Sequence, residues 1–430
     1  MTTRTGPHGQ DSRAGWRAVA ATLVTLTLIY GAWYSFAVFL VAILKEFGWS
    51  RSLVSGAFAV FLVVHGCLGP VMGAAARRMG PRRLILAGGC LMAAGLFLTA
   101  ETAAWWHLYL AYGGFTAVGM SLTGWVPSVI LVRGWFPDRV GTAIGIASMG
   151  VGLGISCMVP LAQLFIQEWG WRWSYRIMAG LLVCWVVPGT LWLVKDPPPE
   201  AGEAPAPDGS LPRPHWRLPA AVRSSRFWSL AGVLFTGTAV MQIFLVHQVA
   251  YLTDHGMAPI AAAAIGGVVG LGSTVGKAGW GVLSDRIGRE RTYSAAFGLT
   301  LAAIGLLALA GQLPASPLPY VYAVVMGLGY GVLSPLHPAS ASDLFGGPGY
   351  SVIFGTLYLF ICLGGAAGAW LAGVVFDQTG DYAAALWLGA ALAILSPLLL
   401  WHAAPRRPNP PPAGGTIGEG SRAAPRGQRP

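Results

Sequence analysis

The sequence predicts an all-α membrane protein: twelve transmembrane helices in two pseudo-symmetric six-helix bundles. Its 430 residues are 55% hydrophobic and only 10% charged, with a mean hydropathy of +0.60, whereas a soluble domain carries about 25% charged residues. Twelve apolar segments follow one another, each near the ~20 residues that a spanning helix needs. A charged turn after the second segment, Gly73 to Arg83, recurs after the eighth as Gly281 to Arg291, an offset of 208 residues. At nearly the same offset Trp135-Phe136 falls against Leu344-Phe345, the pattern of two parallel copies of one unit.

In chain order, residues 1–15 are polar and read as a disordered N-terminus. The N-terminal bundle, 16–194, holds apolar segments at 17–44, 53–76, 84–100, 105–131, 142–166 and 174–194. The first is too long for a signal-peptide core and no cleavage site follows it, so it is expected to remain in the mature chain. Residues 195–225, rich in Pro, Ala and Arg, read as a flexible cytoplasmic linker. The C-terminal bundle, 226–403, holds segments at 227–252, 260–283, 293–311, 318–341, 350–375 and 383–403, and 404–430 reads as a disordered tail. Helix is the state expected for every segment, because backbone polar groups in lipid must be satisfied within the segment. The sixty glycines, many inside apolar runs, suit close helix packing.

All but five of the 27 Lys and Arg lie in the termini and the even-numbered loops; the five are Lys45, Arg51, Arg172, Arg176 and Lys277. Basic loops stay on the cytoplasmic side, so both termini are expected there, in a multi-pass protein of the plasma (inner) membrane. The net charge of +11 is spread over these short loops rather than gathered on one face, which argues against a nucleic-acid partner. The five cysteines are scattered through apolar segments without ligand spacing, so neither disulfides nor a metal site follow. No motif for nucleophilic catalysis or phosphate binding occurs, no cofactor is implied, and an enzyme is not expected.

Lys277 stands out. It lies eight residues before Asp285, the first charge at the end of the eighth segment, which is roughly 12 Å into the bilayer. No other Lys, Arg, Asp or Glu lies so deep. An ionisable residue there is costly and by default marks a substrate or ion pathway. Snorkelling to the nearer surface is the alternative, but that depth exceeds the comfortable reach of the side chain.

The second charged turn, Gly281-x-x-x-Asp285-Arg286-x-Gly288-Arg289, resembles the loop signature between helices 8 and 9 of the major facilitator superfamily, which implies a gating motif. Gly73 to Arg83 resembles its weaker copy between helices 2 and 3, with Arg77 where the pattern has Asp. Glu46-Phe-Gly-Trp-Ser-Arg51, Trp135-Phe136 with Arg139 to Gly154, and Gly170-Trp171-Arg172 are similar to the monocarboxylate transporter and oxalate–formate exchanger branch. In that branch the position of Lys277 is usually Arg, implied to bind the substrate carboxylate. Lys keeps the charge and loses the bidentate fork. Oxalate-type exchangers add a second cation on helix 11, where this chain has Ile353 to Cys362 without Lys or Arg. One buried cation balances one carboxylate, so a monovalent anion is favoured.

Further candidates are polar residues inside segments. Tyr30, Tyr34, Tyr330 and Tyr358 can donate to a carboxylate from an otherwise apolar body, and each is equally a packing residue. Ser121 and Thr123, with Trp125, occupy the fourth segment at matching depth, where Gly/Ser packing is the alternative. His65, His247 and His337 are candidate proton relays or satisfied polar residues at helix contacts. His337 is the more suggestive, six residues before Asp343 and between Pro335 and Pro338. The expected function is secondary active transport of a lactate- or pyruvate-like monocarboxylate, proton-coupled through Lys277 or His337, by alternating access of a monomeric unit. Export or exchange of another organic compound, and a transport-inactive membrane sensor, are the alternatives.

Overall fold

The computed structural model describes residues 8–136, 140–196, 216–313, 315–347 and 349–404. Parts of the expected disordered N-terminus and linker, and the tail from residue 405, lie outside the described residues. Among those described there is no strand. The spanning helices are α1 (Arg13–Phe47), α2 (Arg51–Met79), α3 (Pro81–Ala100), α4 (Trp105–Trp135), α5 (140–169), α6 (171–193), α7 (Ser225–Asp254), α8 (Pro259–Ile287), α9 (Arg289–Gln312), α10 (Leu318–Phe345), α11 (Tyr350–Thr379) and α12 (Ala383–Ala403). α5 and α6 follow without a loop, and only the positive φ of Gly170 (+81°) separates them.

The two halves repeat in detail. The turn between α2 and α3 is made at Gly80 (φ +82°) and that between α8 and α9 at Gly288 (φ +105°). These positions are 208 residues apart, and a Cβ would strain the backbone at either. Three helices are interrupted in mid-membrane. α1 breaks at Ser35, between Tyr34 and Phe36, with the Ser35 hydroxyl donating to the Gly31 carbonyl at 2.7 Å. α4 passes through a π-helical stretch, Tyr109–Thr116, and breaks at Gly124. α10 breaks at Val332, between Leu318–Gly331 and Leu333–Phe345. Such breaks free backbone groups and redirect side chains, which lipid tolerates only where protein lines the break.

The halves meet along two seams, α2 against α11 and α5 against α8, with the outer part of α1 touching α7. Both seams are lined with small residues, so the backbones approach closely. A Cβ at Gly270 would lie 2.8 Å from the Ile155 side chain across the α5–α8 seam, and one at Gly365 would lie 3.0 Å from Leu62 across the α2–α11 seam. The described approaches between halves lie at the level of Lys277 or toward the odd-numbered loops, from Gly152–Thr274 and Gly69–Tyr358 up to Gly373–Arg51.

Overpacking this seam is the test of its closeness. Gly270→Val is expected to cost about 1–3 kcal/mol, read as a lowered Tm of the purified protein, whereas Gly298→Val on α9, where a Cβ meets nothing within 4 Å, leaves Tm near that of the parent.

Candidate functional site

α8 carries Lys277 past the last close approach of the α5–α8 seam and turns its side chain toward α10. The Nζ atom lies 5.7 Å from the centroid of the Tyr330 ring, within reach of a cation–π attraction. Tyr330 in turn hydrogen-bonds Tyr34 of α1, oxygen to oxygen at 2.5 Å, so the ammonium faces a contact between the two halves. Tyr34 is the last helical residue before the break at Ser35, and Tyr330 stands two residues before the break at Val332. Trp33 stacks on both Tyr30 and Tyr34, at 5.5 and 5.8 Å, and packs against His65, whose Nε2 meets the Tyr358 hydroxyl. The four tyrosines singled out in the sequence therefore form one cluster. None of the ion pairs among the described residues includes Lys277. What the cluster offers is one cation, hydroxyls and aromatic walls, a set suited to a small anion with an apolar body.

A second strand of the site runs through His65. This residue is fourteen positions from either end of α2 and is 5% exposed. Its Nδ1 lies 2.8 Å from the Ser121 hydroxyl on α4, and its Nε2 lies 3.3 Å from the Tyr358 hydroxyl on α11. Trp33 packs edge-on against the imidazole at 5.4 Å and stacks on Tyr30 at 5.5 Å. The Trp33 indole N–H is buried with no hydrogen-bond partner, an orphan donor within the same cluster.

The remaining candidates lie elsewhere. Thr123 turns away, donating to the Ile85 carbonyl of α3 at 3.2 Å within the N-terminal half. His337 sits against Tyr293 of α9, nitrogen to oxygen at 3.4 Å, and Tyr293 continues to Ser396 of α12 at 3.0 Å, all within the C-terminal half. The structure does not bring His337 into contact with the Lys277 cluster. Read from the sequence, His337 is the more suggestive of the two; the place of His65 at the midpoint of a spanning helix was the available signal.

The charged turn is held by Arg289. Its guanidinium donates to Asp285 (2.8 Å), Ser284 (2.8 Å) and Asp343 of α10 (2.9 Å), tying the α8–α9 turn to the end of α10. Asp285 and Arg286 are exposed. In the first copy, the Arg77 side chain lies outside the described residues. There Arg82 donates to the Thr190 and Leu191 carbonyls of α6, and its backbone N–H meets Asp196 at 2.9 Å.

The opposite ends of the helices carry a latch. Arg51, at the start of α2, pairs with Asp254 of α7 at 2.6 Å and donates to the Tyr382 hydroxyl at 2.6 Å. It lies over the Phe376 ring at 3.7 Å, and its backbone N–H and that of Ser52 bind the Asp377 carboxylate at 2.9 and 2.8 Å. Burial pushes the Tyr382 phenol far above its usual range, so it remains neutral. His247 donates from Nε2 to the Ala369 carbonyl at 2.8 Å, which leaves Nδ1 to accept from Tyr382 at 3.0 Å. One arginine from the N-terminal half thus joins three elements of the C-terminal half. Beside it, Glu46 accepts from the Trp171 indole and from Arg172, closing the N-terminal half at the same end.

The profile of the major facilitator superfamily matches residues 22–345 and 249–426. The chain belongs to the major facilitator superfamily. Curated relatives include monocarboxylate transporters, the branch that the residues around Glu46, Trp135 and Gly170 resemble. Monocarboxylate transporter 13 of Rattus norvegicus is 28% identical over 394 residues, covering 92% of this chain and 89% of that one. Monocarboxylate transporter 11 of Homo sapiens is 28% identical over 406 residues, covering 92% and 84%. Among solved structures, a bacterial homologue of the human lysosomal transporter Spinster, crystallised inward-facing and unoccupied, superposes with a TM-score of 0.69 at 17% identity over 93% of this chain and 96% of that one. The protein is a multi-pass transporter, not an enzyme.

The latch makes a measurable statement about the transporter. In a background with the native cysteines replaced, Ser55→Cys lies buried under the α2–α11 seam. Adding Arg51→Gln, which loses the ion pair and the stacked guanidinium, is expected to raise its labelling rate by a polar maleimide about tenfold, the worth of a charged hydrogen bond. An unchanged rate contradicts the latch.

Proposed function

We propose that this transporter carries a small monocarboxylate, lactate- or pyruvate-like, together with a proton, across the plasma membrane, with both termini cytoplasmic. The observation that carries the reading is the Lys277 ammonium, facing the Tyr34–Tyr330 pair from inside the seam and in no ion pair with a carboxylate among the described residues. An isolated ion is costly to bury, and an arriving carboxylate offsets that cost. Tyr30, Tyr34, Tyr330 and Tyr358, with Ser121, supply hydroxyls and apolar walls around the anion. The names of the relatives, monocarboxylate transporters, support the same substrate class. Among the described residues one cation faces this cluster, which favours an anion of single charge.

Alternating access follows from the two ends. The Arg51 latch closes the odd-loop ends of the bundles, and the α8–α9 turn held by Arg289 stands at the other. Rocking of one half against the other would exchange these closures around Lys277. Coupling is proposed at Lys277 itself. A lysine can give up its proton in a dry site, whereas an arginine practically cannot, so the proton and the anion would arrive at one group. His337, the other candidate, would have to act from within the C-terminal half.

Counterflow of short organic acids in proteoliposomes tests the reading. Lys277→Ala is expected to lower lactate counterflow about ten- to hundredfold, the range for losing a hydrogen bond to a charged group; transport within twofold of wild type defeats the anion dock. Lys277→Arg is expected to keep anion exchange but lose proton-driven accumulation, while His337→Gln keeps both. The reverse pattern places coupling at His337.

A further inference from the structure

The hydrogen bonds around His65 decide which way the Tyr358 hydroxyl points its proton. A neutral histidine has one N–H and one bare nitrogen. Ser121 donates its hydroxyl proton to the Ala117 carbonyl at 2.9 Å. Its oxygen is therefore left to accept, and His65 Nδ1, 2.8 Å away, is the donor to it. The bare nitrogen is then Nε2, and the Tyr358 hydroxyl donates to it at 3.3 Å. The remaining neighbours do not reverse this order. Trp33 and Phe61 present rings to the imidazole, at 5.4 and 6.2 Å. Cys362, one turn along α11 from Tyr358, is in hydrogen-bonding reach of the phenol, but a thiol is a weak partner beside an imidazole nitrogen. Among the described contacts of His65 no charged side chain appears.

With its proton committed to His65, Tyr358 shows the cluster an oxygen lone pair. The Tyr34–Tyr330 pair does the opposite: two hydroxyls hydrogen-bonded to each other use one proton between them and leave one to donate. The cluster at the Lys277 ammonium thus offers a cation, a donor and a fixed acceptor.

We infer that His65 is a positioning residue that fixes Tyr358 as an acceptor, and that the site on this account prefers a 2-hydroxy carboxylate over the corresponding 2-oxo carboxylate. This rests on the anion-carrier reading above. A carboxylate on Lys277 places the C2 substituent beside the tyrosines. A hydroxyl there donates to Tyr358, whereas a keto oxygen sets two acceptors face to face, and a site built to hydrogen-bond a substrate group discriminates strongly against an analogue that cannot. Ser121 belongs to the same device at one remove, because its bond to Ala117 orients the imidazole.

The test is the ratio of kcat/KM for labelled L-lactate and pyruvate in proteoliposomes containing the full-length transporter. Wild type is expected to favour lactate. His65→Leu, which frees the phenol to turn and donate, lowers that ratio about five- to tenfold, the worth of one hydrogen bond. Tyr358→Phe lowers it by a similar factor with His65 in place. His65→Gln, whose amide carries both an acceptor and a donor, retains most of the wild-type ratio, which a merely space-filling role for His65 would not require. For any variant that binds but does not transport, the ratio of the two affinities by titration calorimetry replaces the ratio of rates. A wild-type preference for pyruvate, or a ratio unchanged within twofold in His65→Leu or Tyr358→Phe, overturns the inference while leaving the carrier reading intact. Failure of wild type to carry or bind either acid defeats the carrier reading and this inference with it.

Discussion

A lone ammonium held among aromatic side chains, half-buried at the seam of two helical bundles, is the constraint around which this molecule is arranged. Placing a charge there costs several kcal/mol unless something compensates. The described residues offer only the face of Tyr330, 5.7 Å away, and no ion pair. A cation–π contact is worth about 0.5–2 kcal/mol, too little to settle the account. The imbalance is what makes the position informative. A purely structural lysine would have acquired a carboxylate, as Arg51, Arg172, Arg176 and Arg289 have. On the proposed reading the missing partner is the substrate.

On the proposed reading, the same scaffold lets the site open and close. Polar groups that cross between halves are few and sharply placed: the Tyr34–Tyr330 pair and the His65–Tyr358 bond near the level of Lys277, and the Arg51 latch at the odd-loop ends. The rest of the seam is small-residue packing between α2 and α11 and between α5 and α8. Packing of this kind is close but carries no directional bonds, so one half can roll on the other once the latch parts. The hydrogen bonds at the centre are then where occupancy by a ligand can bias the movement, because a ligand shifts an equilibrium only through contacts that differ between its states.

Much of this was legible in the residues. Twelve apolar segments and the 208-residue offset gave the helices and their pairing into halves, and the turn glycines Gly80 and Gly288 obey that offset in their backbone conformation. The depth of Lys277 and the four tyrosines were readable because single polar groups in oil are conspicuous. What was not readable was direction. Thr123 and Ser121 are two residues apart on α4, about 200° around a helix, so they cannot share a face; the spacing did not say which of the two turns to Ile85 and which to His65. His337 has a matching depth but faces Tyr293 within the C-terminal half. The latch was hidden for another reason: Arg51, Asp254, Asp377 and Tyr382 are all ordinary loop-end residues, and only the meeting of α2, α7 and α11 gives them a common purpose. The run around Glu46 that carried the family resemblance proved to be the stretch that builds this end, with Glu46 bound by Trp171 and Arg172.

The central claim is that positive charge at residue 277 binds a carboxylate, and chemical rescue tests it most directly. Lys277→Cys, in a background without the other cysteines, is expected to be inactive in lactate counterflow. Aminoethylthiolation of that cysteine, which restores an ammonium on a chain of similar length, is expected to restore counterflow, whereas methylthiolation, which adds bulk without charge, is not. Equal activity after the two treatments, or full activity before either, contradicts the account.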